Sequence, residues 1–499
     1  MAANWRSCGN RMLYSHRSMQ KIWCNCSNPA SFHNSSTGGG SGLLLGGGCF
    51  KKAAMFLPIR RFSSSSPPVS PRSLSSSPLL MVPPGVNVVD HHNSESSNKN
   101  NEDYFHFFSL SEQSQFRVRR TLSVPWQREL LMPNGAFCVG SSHGWLVFNQ
   151  PHNCHPYLYN PLIDSPHFPY IPLPSIETIP SVLGFRSLKS DHSSPSPSLI
   201  TQFINLIHED CNSEEYTYEE KMSPERACRY FVQRLVMSSA PTVPCYSSSL
   251  SKPQIDGNCT IMAIHSGGDE IGFCKPGDER WTMLDVSGPM YADIIYCSKD
   301  QRFFALRFDF SIEAWDLRDP SRPQKQFFHS PDFCEGKIWK KIRESYIWDP
   351  RIYLVESCGD ILLLCRFIAL SRIVEVENKI NDDEWENYFI HDDDAYWTMG
   401  FDVHKFDSDN NKWERVECLG DRAMFVGYNN SFSLSTRDYP ELVGNSIYFA
   451  DDNLNGFNNT YGGHDNGVFS LEDNRIKPYY PSREKVIGPH PVWVAPNTL

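Results

Sequence analysis

The chain has 499 residues, 40% hydrophobic and 13% aromatic; it exceeds one ordinary domain and can bury a sizeable core, which excludes a protein disordered throughout. No apolar run approaches the ~18 residues of a membrane span, because the best stretch, Ile361 to Cys365, stops at Arg366, so membrane insertion is not expected. Residues 1–89 hold nine Lys or Arg and no Asp or Glu; the remaining 410 carry 37 basic against 57 acidic side chains, a net of −20 that repels phosphate backbones and excludes nucleic acid as an expected partner.

The N-terminal arm is rich in Ser, Gly and Pro and basic through residues such as Arg6, Lys21, Lys51 and Arg72, which is the composition of an organellar transit peptide. A positive, acid-free segment is drawn by the inside-negative potential of a mitochondrion at ~2.3 kcal/mol per charge per 100 mV. Arg60-Arg61-Phe62 followed by Ser63 resembles a mitochondrial processing site, with Arg three residues before the cut and an aromatic immediately before it. The expected processing residues are therefore Arg60, Phe62 and Ser63, and residues 1–62 the transit peptide. A plastid address is the alternative, and a disordered basic tail the plainer one. Residues 63–102 continue as a Ser, Pro and Asn linker, and folding is expected to begin near Tyr104, so that 103–499 form the folded domain.

From Tyr104 onward, short runs of aromatic and β-branched residues alternate with Gly, Pro, Asn and Asp clusters, which is an all-β pattern. One hairpin recurs. Ile271-Gly272-Phe273 turns at Lys275-Pro276-Gly277-Asp278 into Trp281 to Leu284, and Ile312 to Leu317 runs into Arg318-Asp319-Pro320. Phe401 to Val403 leads through Asp407 to Asn411 into Trp413 to Val416, and Val468 to Leu471 through Glu472 to Asn474 into Ile476. The irregular spacing of these units, with blades repeating every ~40 to 50 residues, predicts a β-propeller of six to eight irregular kelch-like blades, a pair of β-sandwiches being the runner-up. Two insertions interrupt it: residues 188–226, with a helix-like stretch at Leu199 to Ile207, and residues 371–394, an acidic stretch read as a solvated loop.

Twelve of the sixteen cysteines are scattered singly through the body, as in Cys138, Cys274, Cys297, Cys365 and Cys418, and are expected to behave as small hydrophobes. No C-x-x-C pair occurs, and Cys24-x-Cys26 lacks a partner pair at zinc spacing, so neither a metal nor another cofactor is expected. Gly140-Ser141-Ser142-His143-Gly144 fits G-x-S-x-G, whose Ser142 would be a nucleophile on a strand-to-helix elbow. Here Trp145 to Phe148 continues as another strand, so a strand-connecting turn is expected and no catalytic residue is assigned. His391-Asp392-Asp393-Asp394 lacks the spacing of a calcium loop and reads as surface charge.

Several segments in order carry a resemblance. Gly140 to Leu146, Tyr159-Asn160-Pro161, Phe273 to Asp278 with Trp281, Tyr353 to Ser357, Leu419 to Phe425 and Asn445 to Phe449 with Asp451-Asp452 resemble the plant domain of unknown function 295 family, also called the KIB-type β-propeller, over about Tyr104 to Pro496. The resemblance implies a propeller without an established reaction, found in many proteins behind an F-box. An F-box needs roughly forty residues of amphipathic helix, whereas residues 1–102 offer Gly, Ser and Pro tracts with a basic arm, which resembles the organelle-directed branch lacking the F-box. The expected function is that of a non-catalytic mitochondrial propeller binding a protein partner. The alternative is a substrate-recognition subunit of a ubiquitin ligase in cytosol or nucleus.

Overall fold

Runs such as Trp145 to Asn149 and Ile261 to His265, apolar without a polar alternation, become strands covered on both faces, while the Gly, Asn and Asp clusters between them become turns. The computed structural model describes residues 77–82, 104–119, 137–150, 153–163, 170–189, 199–211, 214–241, 259–286, 288, 290–329, 332–333, 346–372, 396–428, 430–452, 464–479 and 491–496. The chain divides into two units, Met1–Val69 and Ser70–Leu499, and the described residues all lie in the second.

In chain order, β1 (Leu79–Val82), β2 (Tyr104–Ser109) and β3 (Ser114–Arg119) open one sheet. β4 (Phe137–Ser142), β5 (Trp145–Asn149), β6 (Pro156–Tyr159) and β7 (Tyr170–Pro172) form the second. The 3-10 turn η1 (Ile176–Thr178) leads to a three-stranded sheet of β8 (Val182–Lys189), β9 (Leu199–Cys211) and β10 (Glu214–Met222), followed by helix α1 (Pro224–Tyr230). Four-stranded meanders follow in β11 (Val232–Met237), β12 (Ile261–His265), β13 (Glu270–Cys274) and β14 (Thr282–Met283), then in β15 (Tyr291–Cys297), β16 (Arg302–Arg307), β17 (Ile312–Asp316) and β18 (Gln324–Phe328). The next sheet holds β19 (Asp332–Phe333), β20 (Tyr346–Ser357), β21 (Asp360–Arg372), β22 (Trp397–Asp407) and β23 (Lys412–Arg415). The one after it holds β24 (Arg422–Val426), β25 (Phe432–Ser435), β26 (Ser446–Phe449), β27 (Gly467–Ser470) and β28 (Ile476–Lys477). β29 (Val492–Val494) returns to the first sheet beside β1.

This is a β-propeller, with strands buried near the axis and exposed at the rim: β5 is buried throughout, whereas four of the five residues of β18 are exposed. The innermost strands pack side by side, β4 on β11, β11 on β15, β15 on β20, β20 on β25, and β29 back on β4. Trp493 of β29 closes the circle edge-on to Phe425 and Tyr448, with ring centroids 5.1 and 6.2 Å away. Among the described residues the β8–β10 sheet contributes no strand to this circle; α1 packs on β9 as well as on β4 and β11, and the Thr178 hydroxyl of η1 accepts the Trp281 N–H beside β14 at 3.0 Å.

All four hairpins read from the sequence form, as β13–β14, β17–β18, β22–β23 and β27–β28. Two departures from simple meanders are the parallel pairs β24–β26 and β19–β23.

Two expectations need correction. Leu79 to Val82 lies in the segment read as linker, yet it is a buried strand pairing with both β2 and β29, Leu80 opposite Phe108 and Trp493. Folded structure therefore starts before Tyr104. Leu199 to Ile207, read as helix-like, belongs to β9: its apolar residues repeat at helical spacing, but eight- and nine-residue partner strands on either side satisfy its backbone and bury Phe203 and Ile204. The helix of this region is α1, capped by Ser223, whose hydroxyl accepts the Arg226 N–H, with Pro224 at its first position. Of the acidic stretch 371–394 read as a solvated loop, Ser371 and Arg372 belong to β21, and 373–394 lie outside the described residues.

Candidate functional site

The ends of six inner strands meet at one mouth of the circle around a cavity of about 150 Å³: Ser142 from β4, Met237 from β11, Tyr296 from β15, Glu356 from β20, Phe432 from β25 and Ala495 just beyond β29. The Gly140 to Gly144 stretch is the turn that assembles this mouth. His143 and Gly144 connect β4 to β5 with φ of 48° and 77°, the positive values that a tight two-residue hairpin turn requires. The stretch runs strand to strand rather than strand to helix, as expected for a connecting turn.

Ser141 and Ser142 bind the turn to three neighbouring sheets. The Ser141 hydroxyl donates to the Trp493 carbonyl, and its backbone carbonyl accepts the Asn430 N–H at 3.0 Å. The Ser142 hydroxyl accepts the Met237 N–H at 3.2 Å and lies 3.1 Å from His143 Nδ1. Burial lowers the His143 imidazole to about 4, so it is neutral near pH 7. With Ser142 only 2% exposed and its oxygen engaged by a backbone amide, the hydroxyl works as a fastener between sheets. The rest of the mouth offers hydrogen-bonding groups, among them Ser298, exposed beyond β15, and the carboxylate of Glu356.

Deeper in the protein, buried charges join one sheet to the next. Arg366 of β21, with no exposed surface, donates to Asp452 at 3.2 Å, to Asp465 at 2.9 Å and to Thr398 at 2.8 Å, while its guanidinium lies 4.6 Å from the Phe449 ring centroid. Tyr353 adds a hydrogen bond to the second Asp452 oxygen at 2.9 Å. Burial raises the Asp465 carboxyl, with the Arg366 charge opposing it. Asp293 of β15 accepts the Leu354 N–H of β20 at 2.9 Å and lies 3.6 Å from Arg234; burial pushes its carboxyl up to about 6. Within the β15–β18 sheet, Glu313 accepts from Arg307 and Tyr291 at 2.7 Å and from Trp315 at 3.0 Å. Each carboxylate is held by two or more donors, which is the arrangement of a structural link.

The expected processing residues Arg60, Phe62 and Ser63 lie outside the described residues, as does His391 to Asp394. Of the thiols named in the sequence, Cys274, Cys297 and Cys365 are buried, whereas Cys418 is exposed. That the six strand ends converge is not legible in any local motif, because it follows from the order of sheets around the axis. Among the described residues no group of His, Cys, Asp and Glu is arranged to hold a metal ion, and no helix is long and apolar enough to cross a membrane.

The chain is similar to the F-box protein SKIP23 of Arabidopsis thaliana, at 25% identity over 243 residues that cover 48% of this chain and 54% of that protein. It is 40% identical over 235 residues to the F-box protein At2g26160 of the same plant, covering 45% of this chain and 57% of that one. The chain spans about half the length of the curated relatives it matches. Among solved structures it is similar to the β-propeller domain of Myceliophthora thermophila Cps50 (Swd1), with 8% identity, a TM-score of 0.25, and coverage of 63% of this chain and 82% of that one. The model of the KIB1-4 beta-propeller matches residues 107–470, the span of the sheets from β2 through β27, and the chain belongs to that family.

Proposed function

We propose that this chain is a non-catalytic propeller of the mitochondrion that presents the mouth of its inner strands to a protein partner. The observation that carries the reading is the mouth itself. Its cavity of about 150 Å³ is smaller than the ~300–1,000 Å³ of ligand pockets, yet it is set in a rigid circle of strands and edged by hydroxyl, amide and carboxylate groups. Such a site suits a single inserted side chain with hydrogen bonds around it, and loops held by rigid blades supply the remaining contact. The nine basic and no acidic residues before Asp90 support the organellar address.

The test has two arms. Import of radiolabelled full-length chain into isolated mitochondria, in parallel with plastids, is expected to give a protease-protected product starting at Ser63 in energised mitochondria alone. A chain left whole and unprotected in both overturns the address. Ser298→Arg, an exposed change at the mouth, is expected to release partners that co-purify with the wild-type protein from the organelle. Retention of every partner removes the mouth from the reading.

A second reading rests on the relatives being named F-box proteins: a substrate-recognition subunit of a ubiquitin ligase in cytosol or nucleus. Co-purification of Skp1 with the full-length chain selects it, and its absence selects the organellar reading.

A further inference from the structure

We propose that Cys154 and Cys228 form a disulfide on oxidation, fastening the β5–β6 loop to helix α1. Their sulfur atoms are 2.6 Å apart, well inside the about 3.5–4 Å at which non-bonded heavy atoms settle and close to the ~2.05 Å of a disulfide bond. Both side chains are essentially buried, at 1% and 0% exposure. Neither is adjacent in sequence, so the fold brings them together across the boundary between the β4–β7 sheet and α1.

The surrounding groups aim both thiols. Cys154 has φ of 53°, a left-handed conformation that a non-glycine residue keeps only when its neighbours enforce it. Here the Cys154 N–H donates to the Gln150 carbonyl at 2.9 Å, and Gln150 N–H donates to the His155 carbonyl at 3.0 Å, closing the loop around it. On the other side, Asn149 Nδ2 donates to the Cys228 carbonyl at 2.8 Å, holding α1 against the end of β5. The Cys228 thiol points to the Gln150 carbonyl at 3.0 Å and the Cys154 thiol to the Pro224 carbonyl at 3.4 Å. Each sulfur therefore lies in a pocket built from the other's segment.

The chemistry is thiol–disulfide exchange with a small-molecule disulfide such as oxidised glutathione. A Cys154 thiolate attacks the glutathione disulfide, forming a mixed disulfide and expelling one glutathione thiolate. The Cys228 thiolate then attacks the Cys154 sulfur, forming the protein disulfide and expelling the second. The protein loses two protons and two electrons, and the oxidant gains them as two glutathione thiols. The contact with Cys228 and burial raise the Cys154 thiol above its ordinary value, so exchange runs through local opening of the loop or of seven-residue α1. Once made, the bond ties to the ring the helix that also packs on β9, and so fixes the outlying β8–β10 sheet.

The test uses the full-length chain equilibrated in glutathione buffers from fully reducing to fully oxidising. Thiols are then blocked under denaturant, followed by intact-mass and peptide analysis. The expected result is a Cys154–Cys228 cross-linked peptide in the oxidising buffers, with a loss of about 2 Da and a thermal midpoint above that of the reduced protein. Cys358 and Cys418, free and exposed, serve as controls that blocking is complete. In Cys228→Ser the redox-dependent shift in midpoint is expected to vanish. Alkylation of both Cys154 and Cys228 in the most oxidising buffer, or glutathione on Cys154 without closure to Cys228, overturns the proposal. Both outcomes are read in the wild-type protein, so the result stands even if the serine variant fails to fold.

Discussion

Closure of the propeller by residues far from its main body is open to a direct test at Leu80. This side chain has no exposed surface, lies opposite Trp493 in one direction and Phe108 in the other, and packs among Phe425, Tyr448 and Tyr479. Leu80→Ala removes three carbon atoms from a site lined by aromatic rings. Phe425, Tyr448 and Trp493 hold one another at centroid separations of 4.8 to 6.2 Å, so they cannot collapse onto the gap. Leu→Ala changes at such sites cost about 2–5 kcal/mol, and the rigidity of the rings places this one at about 3–4 kcal/mol. Urea unfolding of the full-length chain, followed by tryptophan fluorescence, reads the change as a lower midpoint with an unchanged slope. Val443→Ala, at a residue 57% exposed, is the control and is expected to shift stability by less than about 0.5 kcal/mol. If Leu80→Ala costs no more than that control, residues 79–82 are not docked between β2 and β29, and the account of ring closure is wrong.

The remaining predictions concern the buried charges and the turn. Arg366→Met leaves Asp452 and Asp465 buried without their guanidinium and is expected to cost about 3–5 kcal/mol in urea unfolding, less at pH 5 than at pH 8 because the stranded carboxylates take up protons; a cost under about 1 kcal/mol at both refutes the pairing. Asp293 is raised from 3.8 to about 6 by burial, so the folded protein binds its proton more tightly than the unfolded chain does. The stability it lends is complete below pH 3.8 and is lost as pH rises through about 6, so wild type should fall against Asp293→Asn by up to about 3 kcal/mol over that window; a pH-independent difference refutes the shift. Gly144→Val forces a β-branched residue to a φ of 77° and is expected to cost about 1–2 kcal/mol by thermal unfolding, a neutral result being incompatible with that turn. Ser142→Ala strands the Met237 N–H, at about 1–3 kcal/mol of stability, and should leave hydrolysis of a p-nitrophenyl ester at the wild-type rate; loss of a wild-type esterase activity would overturn the non-catalytic reading.

What the sequence disclosed follows the range of the interactions involved. The hairpins at Lys275 to Asp278 and Asp407 to Asn411 are local, because their turn residues hydrogen-bond within the turn: Asp278 accepts the Lys275 N–H, and Asp407 accepts from Asn410. The Gly140 to Gly144 turn was legible from its own glycines and from the strand run Trp145 to Phe148 directly after it, although its serines bond to other sheets. Leu79 to Val82 was not, since four apolar residues between proline-containing stretches acquire meaning only when Val494, Trp493 and Val492 arrive from the other end of the chain. The one local sign, an apolar run flanked by Pro78 and Pro83, is too short to separate a strand from a linker. Arg366 misleads in the opposite sense. It ends the apolar run, yet β21 continues to Arg372 and its charge is buried against carboxylates supplied from Asp452 and Asp465, distant in sequence.

The same distinction decides where a partner's contacts can be altered without unmaking the mouth. Ser141 and Ser142 edge the cavity, but their hydroxyls are occupied by Trp493 and Met237, so substitutions there loosen the joint between sheets as well as any contact outside it. Glu356 likewise accepts the Gly359 N–H at 2.6 Å and holds its own hairpin. Phe432 stacks on Phe425 at 4.7 Å, within the cluster that closes the ring. Ser298 stands apart from these: it is exposed, follows the last residue of β15, and reaches the same cavity. A substitution at Ser298 that abolishes binding with an unchanged urea midpoint therefore speaks for recognition at the mouth. Equal losses of binding and stability at Ser141 or Glu356 speak only for the integrity of the ring.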